Sequence, residues 1–283
     1  MSPNSSSDPH GLSPDATQRW DAAFAADLHL RPGDPGGLRR AVDLVERCLQ
    51  RTRRLVLLGD VFDVWISAAM FELHEMDALF ESFRRATAAG LEVHFLPGNR
   101  DFLFTPEDGA ALGIEVHDEE WDLLVGGRDL RLLHGDQLLT RDLAYQRFKR
   151  CVRSRPVRAF ARRFPRRWCL SLARRLRQYS DQAIAGKSVH ELGVVDEAVW
   201  TRLQGADAVL CGHVHRAIRR RWAQGELLVL PPFCDRGESV VLVGSEFFVC
   251  DSSGHSERFA LEVNTEGTME GTEEPGASPG AAG

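Results

Sequence analysis

At 283 residues, 43% apolar and 27% charged, the chain can bury a sizeable core in one or two domains of an ordinary soluble protein, and its net charge of −6 gives no general attraction to nucleic acid. The six cysteines (Cys48, Cys151, Cys169, Cys211, Cys234, Cys250) form no C-x-x-C, so they read as buried, reduced thiols and not as a disulfide frame or zinc ribbon. No run approaches the ~18 apolar residues of a membrane span, and no secretory signal is expected from the Ser- and Pro-rich start.

Residues 1–20, broken by Pro3, Pro9 and Pro14, are expected to be a disordered extension, and residues 264–283 a disordered acidic tail. The folded domain then covers 21–263. Its first strand, Ala22-Ala23-Phe24-Ala25-Ala26, runs into Asp27-Leu28-His29. A Pro/Gly loop at 31–37 leads to a helix at 38–52 with Leu38, Val42, Val45 and Leu49 on one face. The strand Leu55-Val56-Leu57-Leu58 runs into Gly59-Asp60-Val61-Phe62-Asp63. A helix at 73–89 (Leu73, Met76, Leu79, Phe80, Phe83) stops at Gly90, and a strand at 91–96 runs into Pro97-Gly98-Asn99-Arg100-Asp101. This alternation predicts βαβ crossovers and a largely parallel sheet.

From Ile114 the pattern changes. Stretches at 120–125 and 129–133 flank Gly126-Gly127, a hairpin signal, and the second runs into His134-Gly135-Asp136. A strand at 208–211 runs into Gly212-His213-Val214-His215. Strands at 217–222, 227–230, 239–243, 246–250 and 257–263 follow. Two sheets packed together, with helices outside, accommodate this α/β pattern.

Residues 142–200 differ from the rest. They read as helical, and 147–177 holds thirteen Arg or Lys with no Asp or Glu, interleaved with bulky apolar residues such as Phe148, Phe160 and Trp168. A basic, greasy insertion in an acidic chain suits an amphipathic cap that meets an anionic, apolar surface.

The chemistry lies at the strand ends. In a strand conformation, residues two apart point to the same side, which would pair Asp27 with His29 and His213 with His215. Asp60 and Asn99 add oxygens, and His29, His134, His213 and His215 add imidazoles. Such a set without thiolate suits Mn, Fe or Zn. Any one of these motifs alone could be a turn or a helix cap. Five in succession, each after an apolar strand, predict a pair of divalent ions, with Asp60 as the bridge, able to activate a water and hold an in-line phosphoryl displacement. Asp63 is expected to orient neighbours or to cap a helix, and Asp101 and Asp136 to orient neighbours. His74, His94, His117, His190 and His255 lack the strand-end setting and are read as ordinary histidines.

The order D-x-H, G-D-x-x-D, G-N-x-[DE], H-G-D, G-H-x-H resembles the calcineurin-like metallophosphoesterases over about residues 22–250. That resemblance implies a four-layer αββα sandwich with a helical cap insertion. It implies one ion on Asp27, His29, Asp60 and His215, and another on Asp60, Asn99, His134 and His213. Arg100 stands where most members have His. Gly98-Asn99-Arg100-Asp101-Phe102-Leu103 is similar to the branch of UDP-2,3-diacylglucosamine diphosphatases, as are Phe62-Asp63-Val64-Trp65-Ile66, Thr140, Asp142, Tyr145, Gln146, Phe148, Ser180 and Lys187-Ser188.

The branch implies a pyrophosphohydrolase of lipid A synthesis, cytoplasmic and peripheral to the inner membrane through its cap, with Mn as the usual metal, a lipid-linked sugar nucleotide as substrate and no nucleic acid. By resemblance, Arg100, Asp60, Asn99 and His213 would carry the catalysis. Arg100, Asp142, Ser180, Lys187 and His215 would contact sugar and phosphate, and Phe102, Tyr145 and Phe148 would line the acyl chamber. The chain departs from the branch at Ile184, commonly Asn there, and at residues 231–237, where a Trp is usual. The alternatives are another dinuclear metallophosphoesterase, such as a nucleotide phosphodiesterase or a phosphatase, or a non-catalytic scaffold on the same fold.

Overall fold

Twelve strands form two sheets in the computed structural model, which describes residues 18–140, Pro156 and residues 194–260. The first sheet has seven strands in the order β12-β11-β10-β1-β2-β3-β4, and the second has five in the order β5-β6-β7-β9-β8. The strands are β1 (Ala22–Ala25), β2 (Arg54–Leu58), β3 (Glu92–Leu96), β4 (Ile114–Val116), β5 (Glu120–Val125), β6 (Arg128–Leu133), β7 (Ala208–Cys211), β8 (Ile218–Trp222), β9 (Gly225–Val229), β10 (Ser239–Val243), β11 (Glu246–Cys250) and β12 (Ser256–Arg258).

Period-two alternation separates three apolar layers. Ala23, Ala25, Leu55, Leu57, Val93 and Phe95 face the helices α1 (Pro35–Arg51) and α2 (Asp77–Ala88). Ala22, Phe24, Val56, Leu58 and Leu96 point the other way and meet Leu123, Leu130, Leu132, Leu210 and Leu228 of the second sheet. Leu133, Val209, Cys211 and Leu227 face outward again, against Ala198, Val199 and Leu203 around the helix Asp196–Arg202. Helix, sheet, sheet, helix is the expected four-layer order, and the strands of both inner layers are buried on two faces. That is why β1, β2 and β7 read as continuous apolar runs.

Several expectations are corrected. The first sheet is mixed: β1 to β4 pair in parallel, but β10 lies antiparallel to β1 and continues antiparallel to β11 and β12. Helix α1 begins at Pro35, because the Asp34 side chain accepts from the Gly37 amide at 2.9 Å and Pro35 is pre-set for the first turn. Helix α2 begins only at Asp77, and the apolar residues before it sit on two 3-10 turns, Ala68–Glu72 and His74–Met76. Trp20, just ahead of the expected boundary, is buried, donates its amide to Arg51 O at 2.8 Å and carries the Arg51 guanidinium over its ring. The insertion up to residue 193 lies outside the described residues, as do residues 1–17 and 261–283. With them go the expectations for Asp142, Tyr145, Phe148, Ser180, Ile184 and Lys187.

The parallel strands β1, β2 and β3 of one sheet and β6 and β7 of the other end on the same side of the sandwich. The crevice outside the carboxyl ends of such strands is where open α/β sheets place ligands.

Candidate metal centre

Five described residues other than glycine have positive φ: Asp27 (55°), His29 (47°), Asp60 (51°), His213 (70°) and His215 (54°). All five are among the residues singled out from the sequence. The left-handed region costs a non-glycine residue of the order of 1–3 kcal/mol, and such strain persists where surroundings over-determine it, chiefly at functional sites. It also corrects the reading of D-x-H and H-x-H as extended pairs. Each chain turns through left-handed residues just past its strand, and this turn, not strand alternation, aims the side chains into the crevice.

The side chains converge in two overlapping groups. Nε2 of His134 lies 2.9 Å from Oδ1 of Asn99 and 3.7 Å from Oδ1 of Asp60; Nδ1 of His213 lies 3.0 Å from the same Asn99 oxygen. On the other side, Nε2 of His29 is 3.2 Å from Nε2 of His215, which is 3.7 Å from Oδ1 of Asp27. Asp27, Asp60 and His134 bring ligand-type atoms within 4.8 Å of one another and join the groups.

Two features fit these residues to cations. Oδ1 of Asp27 is buried without a hydrogen-bond partner, which costs unless something positive faces it. His134 donates Nδ1–H to Leu58 O at 2.8 Å, so Nε2 of the neutral ring bears a lone pair. That lone pair faces the Asn99 amide oxygen, another acceptor, with Nδ1 of His213 3.1 Å from the ring nitrogen and 3.0 Å from the oxygen. A cation between them makes the contact favourable, and the hydrogen bond behind the ring fixes its tautomer and direction.

The carboxylates are supported and penalised at once. Asp101, fully buried, accepts from the amides of Asp60 (3.3 Å), Val61 (2.7 Å), Phe62 (3.2 Å) and Gly98 (2.8 Å), tying the Asp60 and Asn99 loops together. Arg100 N–H donates to Asp60 Oδ1 at 2.9 Å, and His213 N–H donates to Asp27 Oδ2 at 2.7 Å. Burial pushes the Asp60 carboxyl up to about 7 even though the Arg100 amide and charge oppose it. Asp101 is raised to about 7 by burial and by the charge of Asp60, and burial with Asp60 raises Asp27 well above its usual value. A bound divalent ion reverses that balance. The loops leave no slack: a Cβ on Gly98 would stand 2.2 Å from Oδ1 of Asp60.

Arg100 lies at the rim, its Nε 3.7 Å from Asp60 Oδ2 and its Nη1 3.5 Å from Asp63 Oδ1. Asp63 caps no helix; its amide bonds Leu30 O and its side chain faces Arg100. Phe102 packs, partly buried, against the helix-side core. His29 is half-buried and His215 exposed, so this side of the crevice opens to solvent. Partial cover of its ring, with the side chain still 46% exposed, and the Arg100 charge push His215 below its usual value.

One residue was missed. Cys234, half-buried, brings Sγ within 4.8 Å of the ligand nitrogens of His29 and His215, and its amide donates to Asp27 O. It sits in the 231–237 segment noted for departing from the branch pattern. Nothing in its sequence setting sets it apart from the other cysteines, because the bridge between Ala26 and Pro232 that delivers it is a long-range pairing.

The family model for calcineurin-like phosphoesterases matches residues 22–217. The chain is 33% identical over 193 residues to the UDP-2,3-diacylglucosamine hydrolase of Chromohalobacter salexigens, covering 68% of this chain and 78% of that one. It is 31% identical over 231 residues to the enzyme of the same name from Nitrosococcus oceani, covering 80% and 92%. Among solved structures it is similar to a dimetal phosphatase from Danio rerio, at 12% identity and a TM-score of 0.46, over 84% of this chain and 98% of the other. The chain belongs to the calcineurin-like phosphoesterase family, a family of metal-dependent hydrolases, and the two curated relatives compared above are UDP-2,3-diacylglucosamine hydrolases.

Proposed function

We propose that this enzyme hydrolyses the pyrophosphate of UDP-2,3-diacylglucosamine at the α-phosphate, giving UMP and 2,3-diacylglucosamine 1-phosphate in lipid A synthesis. The observation that carries this reading is the guanidinium of Arg100 beside Asp60 and Asp63, in a family whose members mostly place an imidazole there. A guanidinium does not give up its proton in a protein, so Arg100 is no general acid, but it can balance charge on two linked phosphates. UMP leaves readily without a proton, whereas an alkoxide does not. The names of the relatives support the same substrate.

Asp27, His29, Asp60 and His215 would hold one ion and Asp60, Asn99, His134 and His213 the other, with Mn2+ as the proposed metal. Two such ions supply Lewis acidity that makes a water nucleophilic near neutral pH and offsets phosphate charge. The protein's own part is positional. Asp101 fixes the Asp60 and Asn99 loops, Leu58 O sets the His134 tautomer, and the His213 amide orients Asp27. Arg100 then meets the phosphates on the solvent-open side.

Asp142, Ser180, Lys187 and His215 are proposed to contact sugar and phosphate, and Phe102, Tyr145 and Phe148 the acyl chains. The basic insertion is proposed to rest on the cytoplasmic face of the inner membrane. No helix among the described residues is long and apolar enough to cross a membrane. The test is Mn-dependent release of UMP from UDP-2,3-diacylglucosamine, with product identification. Absence of UMP alongside ready hydrolysis of a simple phosphodiester would assign the chain to another dinuclear phosphoesterase.

A further inference from the structure

Two of the five histidines read as ordinary in the sequence, His94 and His117, meet each other. His94 on β3 is register partner to Glu115 on β4, and His117 lies two residues beyond Glu115, so the three share one face of the sheet. That face looks toward the second sheet, since Val56, the partner of His94 on β2, packs there. Nδ1 of His94 is 2.9 Å from Nε2 of His117 and 3.4 Å from a Glu115 carboxylate oxygen; the other Glu115 oxygen is 3.9 Å from Nε2 of His117. The indole of Trp121, on the edge strand β5, stacks on His117 at 3.9 Å and lies 4.6 Å from His94.

We infer that His94, Glu115 and His117 form a zinc site at the open edge between the two sheets, sharing no residue with the metal centre. Zinc bonds of about 2.0–2.2 Å at tetrahedral angles place ligand atoms about 3.3–3.5 Å apart. The three observed separations bracket that range, so the rings need only part by a few tenths of an ångström. Two imidazoles and a carboxylate are a borderline-soft set that suits zinc. Trp121 closes one side, and a solvent-open cleft bordered by Thr87, Glu92 and Gly113 reaches His94 and Glu115.

A second observation stands behind the ring of His94. Its Nε2 is buried without a hydrogen-bond partner, and the nearest acidic oxygen, on Glu92, is 4.0 Å away. Glu92 is held in place by Arg54 at 2.8 Å. When Nδ1 of His94 turns its lone pair to a metal, the ring proton resides on Nε2, and a small rotation gives it to Glu92. Carboxylate behind imidazole is the usual support of a ligating histidine. Burial also holds His94 down at about 4 and pushes His117 below its usual value.

The experiment counts zinc bound to the metal-free full chain by equilibrium dialysis and elemental analysis, in the wild type and in Glu115→Gln and His117→Ala. Each variant should hold one ion fewer than the wild type at the same free zinc, with UMP release unchanged. Glu115 is 67% exposed, so Glu115→Gln leaves packing intact if His117→Ala proves unstable. An equal zinc count in the wild type and Glu115→Gln would overturn the site and leave the imidazole pair as a hydrogen bond only. The difference in count is read whether or not the catalytic reading holds.

Discussion

Nδ1 of His134 donates to the carbonyl oxygen of Leu58 at 2.8 Å, across the gap between the two sheets. Leu58 ends β2, the strand that delivers Asp60, so one hydrogen bond fixes both the imidazole and the carboxylate that it faces at 3.7 Å. The centre is therefore a property of how the sheets stack, and single replacements within it should act on chemistry more than on folding.

Asp60→Asn is the direct case. Asn tolerates left-handed backbone, so the φ of 51° is kept while the bridging charge is removed. Changes to mere supporting residues cost about 10–100-fold, so loss of this ligand should lower kcat/KM by more than ~100-fold. Thermal unfolding should stay within a few degrees of the wild type. Retained activity would contradict the bridging role.

Arg100→Ala should separate metal binding from catalysis. Its side chain approaches Asp60 and Asp63 but offers no lone pair to a cation. Metal content should be unchanged while kcat falls by roughly 100- to 1,000-fold, the usual loss on deleting one charge-stabilising donor. Loss of a metal ion in this variant would contradict the role assigned.

Much of this was legible because the strands that carry the site are apolar on both faces. Leu55 to Leu58 and Ala208 to Cys211 announce themselves as buried strands, and the polar residue that ends each is conspicuous. The Gly126-Gly127 hairpin was legible for a local reason, since a two-residue turn needs positive φ. The rest depends on distant pairing. Nothing local says that β10 returns antiparallel to β1, that Cys234 arrives beside His215, or that His94 and His117 stack on Trp121. The late start of α2 was hidden because 3-10 turns bury Met70 and Met76 as a helix would.

The pH dependence of metal stabilisation follows from the raised carboxyls. Asp60 and Asp101 sit at about 7 without metal, well above the ~3.9 of an ordinary aspartate. The folded, metal-free protein therefore binds more protons than the unfolded chain between those values, and loses stability as pH rises across them. Ions need the charged carboxylates, so the gain in Tm on adding Mn2+ should grow from pH 5 to pH 8. A gain independent of pH would show that Asp60 does not face the ions.

Away from the centre, Arg219 and Glu226 form a buried pair between β8 and β9, at 2.8 Å, with Arg128 on the other Glu226 oxygen. Arg219 also donates to Phe259 O at 2.7 Å, holding the chain beyond β12. Burial opposes the Glu226 charge, but its arginine partners outweigh this and lower its pKa. Arg219→Ala strips one of three arginine partners from a buried carboxylate that keeps Arg128 and Arg221, and should cost about 1–3 kcal/mol. Chemical denaturation would read this as a lower midpoint at unchanged slope, with metal content unaffected; an unchanged midpoint would mean the pair contributes nothing net.

Anomalous diffraction from crystals soaked in Mn2+ tests the central assignment most directly. Two peaks should appear, one among Asp27, His29, Asp60 and His215 and one among Asp60, Asn99, His134 and His213, with Asp60 touching both. No peak, or a single peak away from Asp60, would contradict the dinuclear centre and the hydrolysis built on it.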